Sequence, residues 1–196
     1  MSNILVAVSS VLAFVSYIVY IVAILKGEAR PHRTTRFVLV IITSLAMASL
    51  LASGSSVAIW LSAVFTIGCI VIFALSIKYG MGGWAKADIL CLVIALAGIV
   101  FWKVTSNPTY ALLASIMSDL AGQIPMLIKT YRFPETEVWT FYALDVLAAG
   151  LSISAITQRT FQELAYPSYI VFIDGITIIF ILRKQITSKV EQLLPG

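Results

Sequence analysis

The feature that most constrains this chain is a succession of seven long apolar runs separated by short polar segments. A membrane-spanning helix needs about 20 apolar residues to cross roughly 30 Å of hydrocarbon. The runs are continuous rather than alternating, which favours helices over the strands of a membrane barrel. They cover residues 4–25, 37–53, 56–77, 88–104, 109–128, 138–156 and 165–182. The composition, 60% hydrophobic and 11% charged, agrees with an all-α integral membrane protein with seven transmembrane helices.

The basic residues predict which way the chain crosses the membrane. The first loop holds four Lys and Arg, the third and fifth loops two each, and the C-terminal tail three, whereas Lys103 and Arg159 fall on the other side. Loops rich in Lys and Arg stay in the cytoplasm. We therefore expect an outside N-terminus and a cytoplasmic C-terminus in a plasma (inner) membrane. The basic residues are too dispersed for a nucleic-acid surface, and His32 is expected to be a solvated loop residue.

The first segment is expected to remain as a membrane helix. The opening MSNILVAVSS has no basic stretch before the apolar run, and the run is longer than that of a secretory signal.

A weak internal repeat divides the chain. Aligning Lys26 with Lys129 also aligns Pro31 with Pro134. Residues 1–80 then form a first three-helix repeat, 81–106 a linker helix, 107–184 a second three-helix repeat, and 185–196 a cytoplasmic tail. The extra crossing makes the two repeats parallel, a plan in which transporters place the substrate between the repeats. Any seven-helix chain can be divided in this way, so the prediction depends on the matching lengths and loops.

Two stretches carry a resemblance to a known family. The end of span five reads SDLAGQIPMLIKTYRFPETE, and its counterpart in the first repeat reads YIVYIVAILKGEARPHRTTRF. An Asp, a Gly, a Pro and a Gln before a basic loop resemble a PQ-loop repeat. With the three-one-three plan, the chain resembles the SWEET/PQ-loop superfamily, which includes the KDEL receptor fold. The resemblance implies transport by alternating access with Pro125 as a hinge, although Val22 replaces the proline expected in the first repeat.

Three acidic residues lie within predicted spans, namely Asp119, Asp145 and Asp174. Each costs about 2.5–3.5 kcal/mol near the middle of the bilayer and is therefore a functional candidate. Counted from the cytoplasmic ends of their spans, they lie at depths of about 15, 12 and 13.5 Å. We expect one carboxylate cluster with at least one member protonated at neutral pH, because burial and neighbouring like charge disfavour ionisation.

The other predicted lining residues are polar or aromatic: Gln123, Tyr142, Tyr17, Tyr20 and Ser16, with Ser44 and the stretch 66–69 on the opposite wall. No Lys, Arg or His falls in the middle of a span, so the acids are expected to have no fixed cationic partner.

These residues favour a small-solute transporter working by alternating access, coupled to protons or a monovalent cation, with Asp119 as the main coupling group. The expected partners are a small-molecule substrate and the lipid bilayer. No enzyme motif, metal-ligand spacing or cofactor motif is present in the sequence. The alternative is a receptor or sorting protein of the KDEL-receptor type, whose partners would dock on the basic loop 26–36.

Overall fold

The computed structural model describes residues 2–82, 86–105 and 107–193, and these residues form seven α-helices and no β-strand. Each predicted span corresponds to one helix, so the all-α prediction is confirmed for the described chain. The helices are α1 (Ser2–Lys26), α2 (Arg33–Ala52), α3 (Ala58–Tyr79), α4 (Lys86–Thr105), α5 (Pro108–Arg132), α6 (Trp139–Ala155) and α7 (Phe161–Leu193), with a 3₁₀ turn at Pro134–Thr136. Parts of the predicted linker and tail, residues 83–85, 106 and 194–196, lie outside the described residues.

Five helices of the described chain, α1, α2, α3, α5 and α7, are long and apolar enough to cross a membrane. Helix α6 is apolar but has only 17 residues, which gives a length of about 25 Å. These lengths and compositions indicate an integral membrane protein. The membrane type and the side on which each terminus lies remain predictions.

Six helices pack as a closed ring in the order α1, α6, α7, α5, α2, α3 and back to α1. Helix α4 lies outside this ring, against α5 and α2. Exchanging α1, α2 and α3 for α5, α6 and α7 reproduces the same set of neighbours. This order is the one that two equivalent three-helix units would give, although the repeat itself stays a prediction.

The start of α2 differs from the prediction. The helix begins at Arg33, whereas the apolar run begins at residue 37. His32 caps it, since its side chain accepts a hydrogen bond from the Thr35 amide at 3.4 Å and its Nδ1 lies 3.1 Å from Thr35 Oγ1. The expectation that His32 is simply a solvated residue is wrong. Because α2 begins at Arg33, Arg36 lies in the first turn of a helix and not in a loop.

Two helices contain an internal proline. Pro125 lies in α5 as predicted, and a second proline, Pro167, which was not predicted as a hinge, lies buried in α7. Proline removes one backbone hydrogen bond from the helix and favours a kink. Both prolines belong to the second half of the chain.

Loops from both halves meet at each end of the ring. At what we call the inner end, the Arg30 amide donates to the Thr136 carbonyl at 3.2 Å, and the Met81 amide donates to the Pro31 carbonyl at 3.0 Å. At what we call the outer end, residues 53–58 meet the start of α7 around Glu163. The inner end contains the basic first, third and fifth loops, so these predicted cytoplasmic loops share one end.

Candidate functional site

A small cavity of about 40 Å³ lies among the helices of the ring. The structure brings the three predicted carboxylates to this cavity, from α5 (Asp119), α6 (Asp145) and α7 (Asp174). All three side chains are buried. A space of this size holds only a few water molecules. The other lining residues are Tyr17, Arg36, Leu39, Thr43, Phe65, Cys69, Gln123, Met126, Phe141, Tyr142, Tyr166, Ile170 and Ile173.

The three carboxylates differ in their hydrogen bonds. Asp119 accepts a hydrogen bond from the hydroxyl of Tyr169 on α7. Asp145 accepts one from the hydroxyl of Ser16 on α1. Asp174 has no hydrogen-bond donor among the described residues, although it experiences the charge of both other carboxylates. Asp174 is therefore the carboxylate with the most unused acceptor capacity.

Arg36 also lines the cavity, so the expectation that the acids lack a cationic partner is wrong. Its side chain is only 5% exposed, and Nη2 donates to the Tyr20 hydroxyl at 3.2 Å. Its guanidinium carbon lies 5.0 Å from the ring centroid of Tyr20 and 6.0 Å from that of Phe141, within the range of a cation–π contact. The Nε atom is buried without a hydrogen-bond partner in the described chain.

A sequence signal for Arg36 existed. Residues three and seven positions further on share its helix face, and these are Leu39 and Thr43, which also line the cavity. Arg36 was instead counted among the basic residues of the first loop, as evidence for a cytoplasmic position of that loop. Because the helix starts earlier than the apolar run, the side chain points into the protein.

The remaining predicted residues divide into three groups. Gln123, Tyr17 and Tyr142 line the cavity, and the Gln123 Oε1 atom is buried without a partner in the described chain. Ser16 contacts the cavity through Asp145, and Tyr20 lies closer to the inner end. Ser44 is only half-buried and donates to the Val40 carbonyl, and its neighbour Thr43 lines the cavity. In the predicted stretch 66–69, Cys69 lines the cavity, and its Sγ atom lies 3.6 Å from the Tyr17 hydroxyl.

A charged network lies between the cavity and the inner end. Lys129 forms a buried salt bridge to Glu137 at 2.7 Å. The Tyr20 and Tyr142 hydroxyls donate to the other oxygen of Glu137 at 2.7 and 2.9 Å, and Lys129 also donates to the Arg30 carbonyl at 2.7 Å. Since Tyr142 also lines the cavity, this inner network closes the space between the cavity and the inner loops.

The inner network keeps Glu137 ionised. Burial raises the pKa of the Glu137 carboxyl, but the charges of Lys129 and Arg36 and the hydrogen bonds from Lys129 and Tyr20 together hold that pKa below its ordinary value. Glu137 and Lys129 were not predicted as site residues, because each lies beside an apolar run and was assigned to a loop. The available signal was the mixture of two acids, Glu135 and Glu137, with Lys129 and Arg132 in one loop.

The outer end is open. A polar mouth of about 600 Å³ lies between the second, fourth and sixth loops, and Glu163 forms part of its wall. Glu163 is buried and accepts hydrogen bonds from the amides of Ser56 and Ala58 at 2.9 and 3.0 Å and from the Ser55 hydroxyl at 3.2 Å. The mouth is also lined by Ser53, Gly54, Val57, Thr109, Ile156, Thr157, Gln158, Thr160 and Gln162.

The described residues contain no group of three or more His, Cys, Asp or Glu side chains arranged to hold a metal ion.

No protein-family model, no curated protein and no solved structure matches this chain. The resemblance to the SWEET/PQ-loop superfamily therefore still depends on the sequence stretches and the helix plan alone.

Proposed function

We propose that this chain is a membrane transporter that moves a small solute by alternating access, coupled to protons or a monovalent cation. The carboxylates of Asp119, Asp145 and Asp174 would carry the coupling charge. Asp119 is the main coupling group in this proposal, and the other two share charge with it or contact the substrate. The observation that carries the proposal is that three carboxylates from three helices line one cavity with a single arginine.

The charge balance of the cavity favours proton or cation coupling. With all groups ionised, three carboxylates face one guanidinium, which leaves an excess of negative charge inside the helix ring. Ionisable residues that face the interior of a helix bundle are typical of ion pathways and proton relays. A proton or a small cation would neutralise this excess, and its departure would restore it.

The two ends of the ring support alternating access. The inner network seals one end, while the polar mouth at the outer end has room for a solute. In the proposed cycle, a solute entering from the mouth reaches the carboxylates, and the inner network then opens. In this cycle the 40 Å³ cavity widens to admit the solute, and Pro125 in α5 is the candidate hinge.

A ligand screen tests the proposal first. The purified protein is heated with sugars, amino acids, polyamines or simple cations, at one mildly acidic and one neutral pH. A compound that binds the folded state raises its apparent unfolding temperature by mass action. We expect a hit whose shift depends on pH and is lost in Asp119→Asn. Stability that depends on pH without any hit would favour the receptor alternative.

Flux measurements test the coupling directly. Proteoliposomes containing the wild type should take up the hit compound faster when a pH gradient is imposed. Asp119→Asn should reduce uptake and make it independent of the gradient, because the coupling carboxylate is gone. Glu28→Gln, which changes an exposed inner-loop acid, is the matched control. Unchanged uptake and pH dependence in Asp119→Asn would show that the coupling role is wrong.

The receptor alternative has less surface available to it than the sequence suggested. Of the four basic residues in 26–36, Arg36 is buried, and Arg33 donates from Nε to the Ser76 carbonyl at 3.0 Å. Lys26, Arg30 and Arg33 are exposed. A partner that binds the wild type but not Arg30→Glu, with no flux of any screened compound, would favour the receptor.

A further inference from the structure

Three serines form a layer between the cavity and the outer end. Ser9 on α1, Ser62 on α3 and Ser152 on α6 are each at most 1% exposed. Their three helices all contact one another. We call these residues the serine layer.

Each of these serines is aligned with a residue at the cavity level. Ser9 precedes Ser16 by seven positions, Ser62 precedes Cys69 by seven, and Ser152 follows Asp145 by seven. Seven residues make almost two helical turns, so each pair shares a helix face and is about 10.5 Å apart along the axis. Because α6 runs opposite to α1 and α3, all three serines lie on the outer side of the cavity.

Two of the three hydroxyls lack a partner. The Ser62 and Ser152 Oγ atoms are buried without a hydrogen bond to any described residue, whereas Ser9 donates to the Val6 carbonyl at 2.9 Å. Buried hydroxyls without a protein partner are usually satisfied by water. Serines within helices commonly donate to a carbonyl one turn earlier in their own helix, as Ser9 does.

The layer lies between two polar sites. On its inner side, Ser16 donates to Asp145. On its outer side, Ser56, Val57 and Thr157 line the mouth and also a second opening of about 550 Å³ beside α1 and α3. On the inner side, the donors and acceptors of the inner network are already bonded to one another. On the outer side, the serine layer supplies free polar groups between the mouth and the Ser16–Asp145 pair.

We propose that the serine layer binds water molecules that carry protons between the outer mouth and Asp145. This inference rests on the proposed coupling function and adds the side and the route of proton exchange. The water molecules accept from or donate to the free hydroxyls of Ser62 and Ser152, and each proton that moves inward along the chain ends on a carboxylate oxygen. The layer positions water, and the carboxylates hold the charge.

Several groups surround the Asp145 carboxylate and set its charge state. From the elements packed around it, these are Ser16 and Tyr17 on α1, Arg36 on α2, Cys69 on α3, Asp119 on α5, Tyr142 on α6 itself, and Tyr166 and Asp174 on α7. The experiment therefore measures the rate at which Asp145 is protonated, in variants that leave all of these groups unchanged.

The test is a pH jump on the full-length protein in lipid nanodiscs, followed by infrared absorbance of protonated carboxyl groups. Asp145→Asn identifies the band that belongs to Asp145. The double variant Ser62→Ala/Ser152→Ala removes two hydroxyls and little volume. We expect its band to rise about tenfold more slowly than in the wild type, the effect of losing about one water hydrogen bond from the path, with an unchanged final amplitude.

Two controls separate the route from packing. Ser154→Ala removes an exposed α6 hydroxyl that donates to the Gly150 carbonyl at 3.0 Å, and should leave the rate unchanged. Ser62→Thr/Ser152→Thr restores the hydroxyls and should recover most of the rate. If the double alanine variant does not fold, each single alanine variant is measured, and each should be slower than the wild type.

A double alanine variant that protonates as fast as the wild type would overturn the inference and leave the proposed function untouched. A wild type in which none of the three intramembrane aspartates gives a protonated carboxyl band at any pH would overturn this inference and the proton-coupled form of the proposed function, and would leave only coupling to a monovalent cation.

Discussion

Each end of the helix ring has one buried glutamate that accepts three hydrogen bonds, but the two glutamates bind different donors. Glu137 at the inner end binds the Lys129 ammonium and two tyrosine hydroxyls. Glu163 at the outer end binds two backbone amides at the start of α3 and one serine hydroxyl. The first contact is a charged network of side chains from α1, α5 and α6. The second fixes the start of one helix to the start of another.

This difference indicates how each end would respond to movement. A side-chain network can separate when its helices part, because every partner has its own rotamers. A carboxylate that caps backbone amides moves with the helix it caps. We therefore expect the inner network to be the part that opens and the outer contact to keep α3 and α7 together.

The largest effect is expected from Lys129→Ala. Removing one partner of a buried ion pair leaves the other charge uncompensated and costs about 3–5 kcal/mol. Thermal unfolding in detergent should show a large loss of stability relative to Glu28→Ala, which removes an exposed acid at the same end. Lys129→Met/Glu137→Leu should recover much of the loss. A Lys129→Ala protein as stable as the wild type would mean that the inner network contributes little.

Acid should weaken the inner end selectively. The pKa of Glu137 is lowered by folding, so its stabilisation is fully present above its unfolded value of about 4.3 and is lost as the pH falls through the lower folded value. The stability gap between the wild type and Glu137→Gln, measured by thermal unfolding across this range, should narrow towards acidic pH. A gap that stays constant across this range would contradict the lowered pKa of Glu137.

At the outer end, Glu163→Ala should cost about 1–3 kcal/mol, since it leaves two amides at the start of α3 without their acceptor. Hydrogen exchange should become faster at Ser56 and Ala58 and stay unchanged at the inner end. Gln158→Ala, an exposed change in the same mouth, is the control. Equal exchange in both variants would show that Glu163 does not hold this helix start.

The smallest effects are expected at the helix caps. Asn107 accepts from the Thr109 amide at 2.9 Å at the outer end, and His32 caps α2 at the inner end. Each alanine substitution should cost about 1 kcal/mol, whereas Asn107→Gly should cost only a few tenths. Thermal unfolding measures both. A much larger loss for His32→Ala would show that its ring supports the inner loops beyond the capping bond.

Much of the helical plan could be predicted from the sequence, because apolar length alone identifies a span. The rise per residue of a helix also predicted similar depths for Asp119, Asp145 and Asp174, and in the structure all three line one cavity. The inner network could not be found in this way. Whether Arg36, Lys129 and Glu137 face solvent or the protein depends on where each helix begins and on which helix packs beside it. The hydropathy of the sequence gives neither the exact helix start nor the neighbouring helix.

The ring order has a consequence for how the protein is made. Although α1 is synthesised before α2, its backbone packs against α3 and α6, and it meets α2 through the side chains of Tyr20 and Arg36. Ser16 and its partner Asp145 are separated by 129 residues. During translation, the face of α1 that meets α6 must remain against lipid or a membrane insertase until most of the chain has emerged. Assembly of this protein is therefore completed late, and a nascent chain that stops before α6 leaves its first helix without its main packing partner.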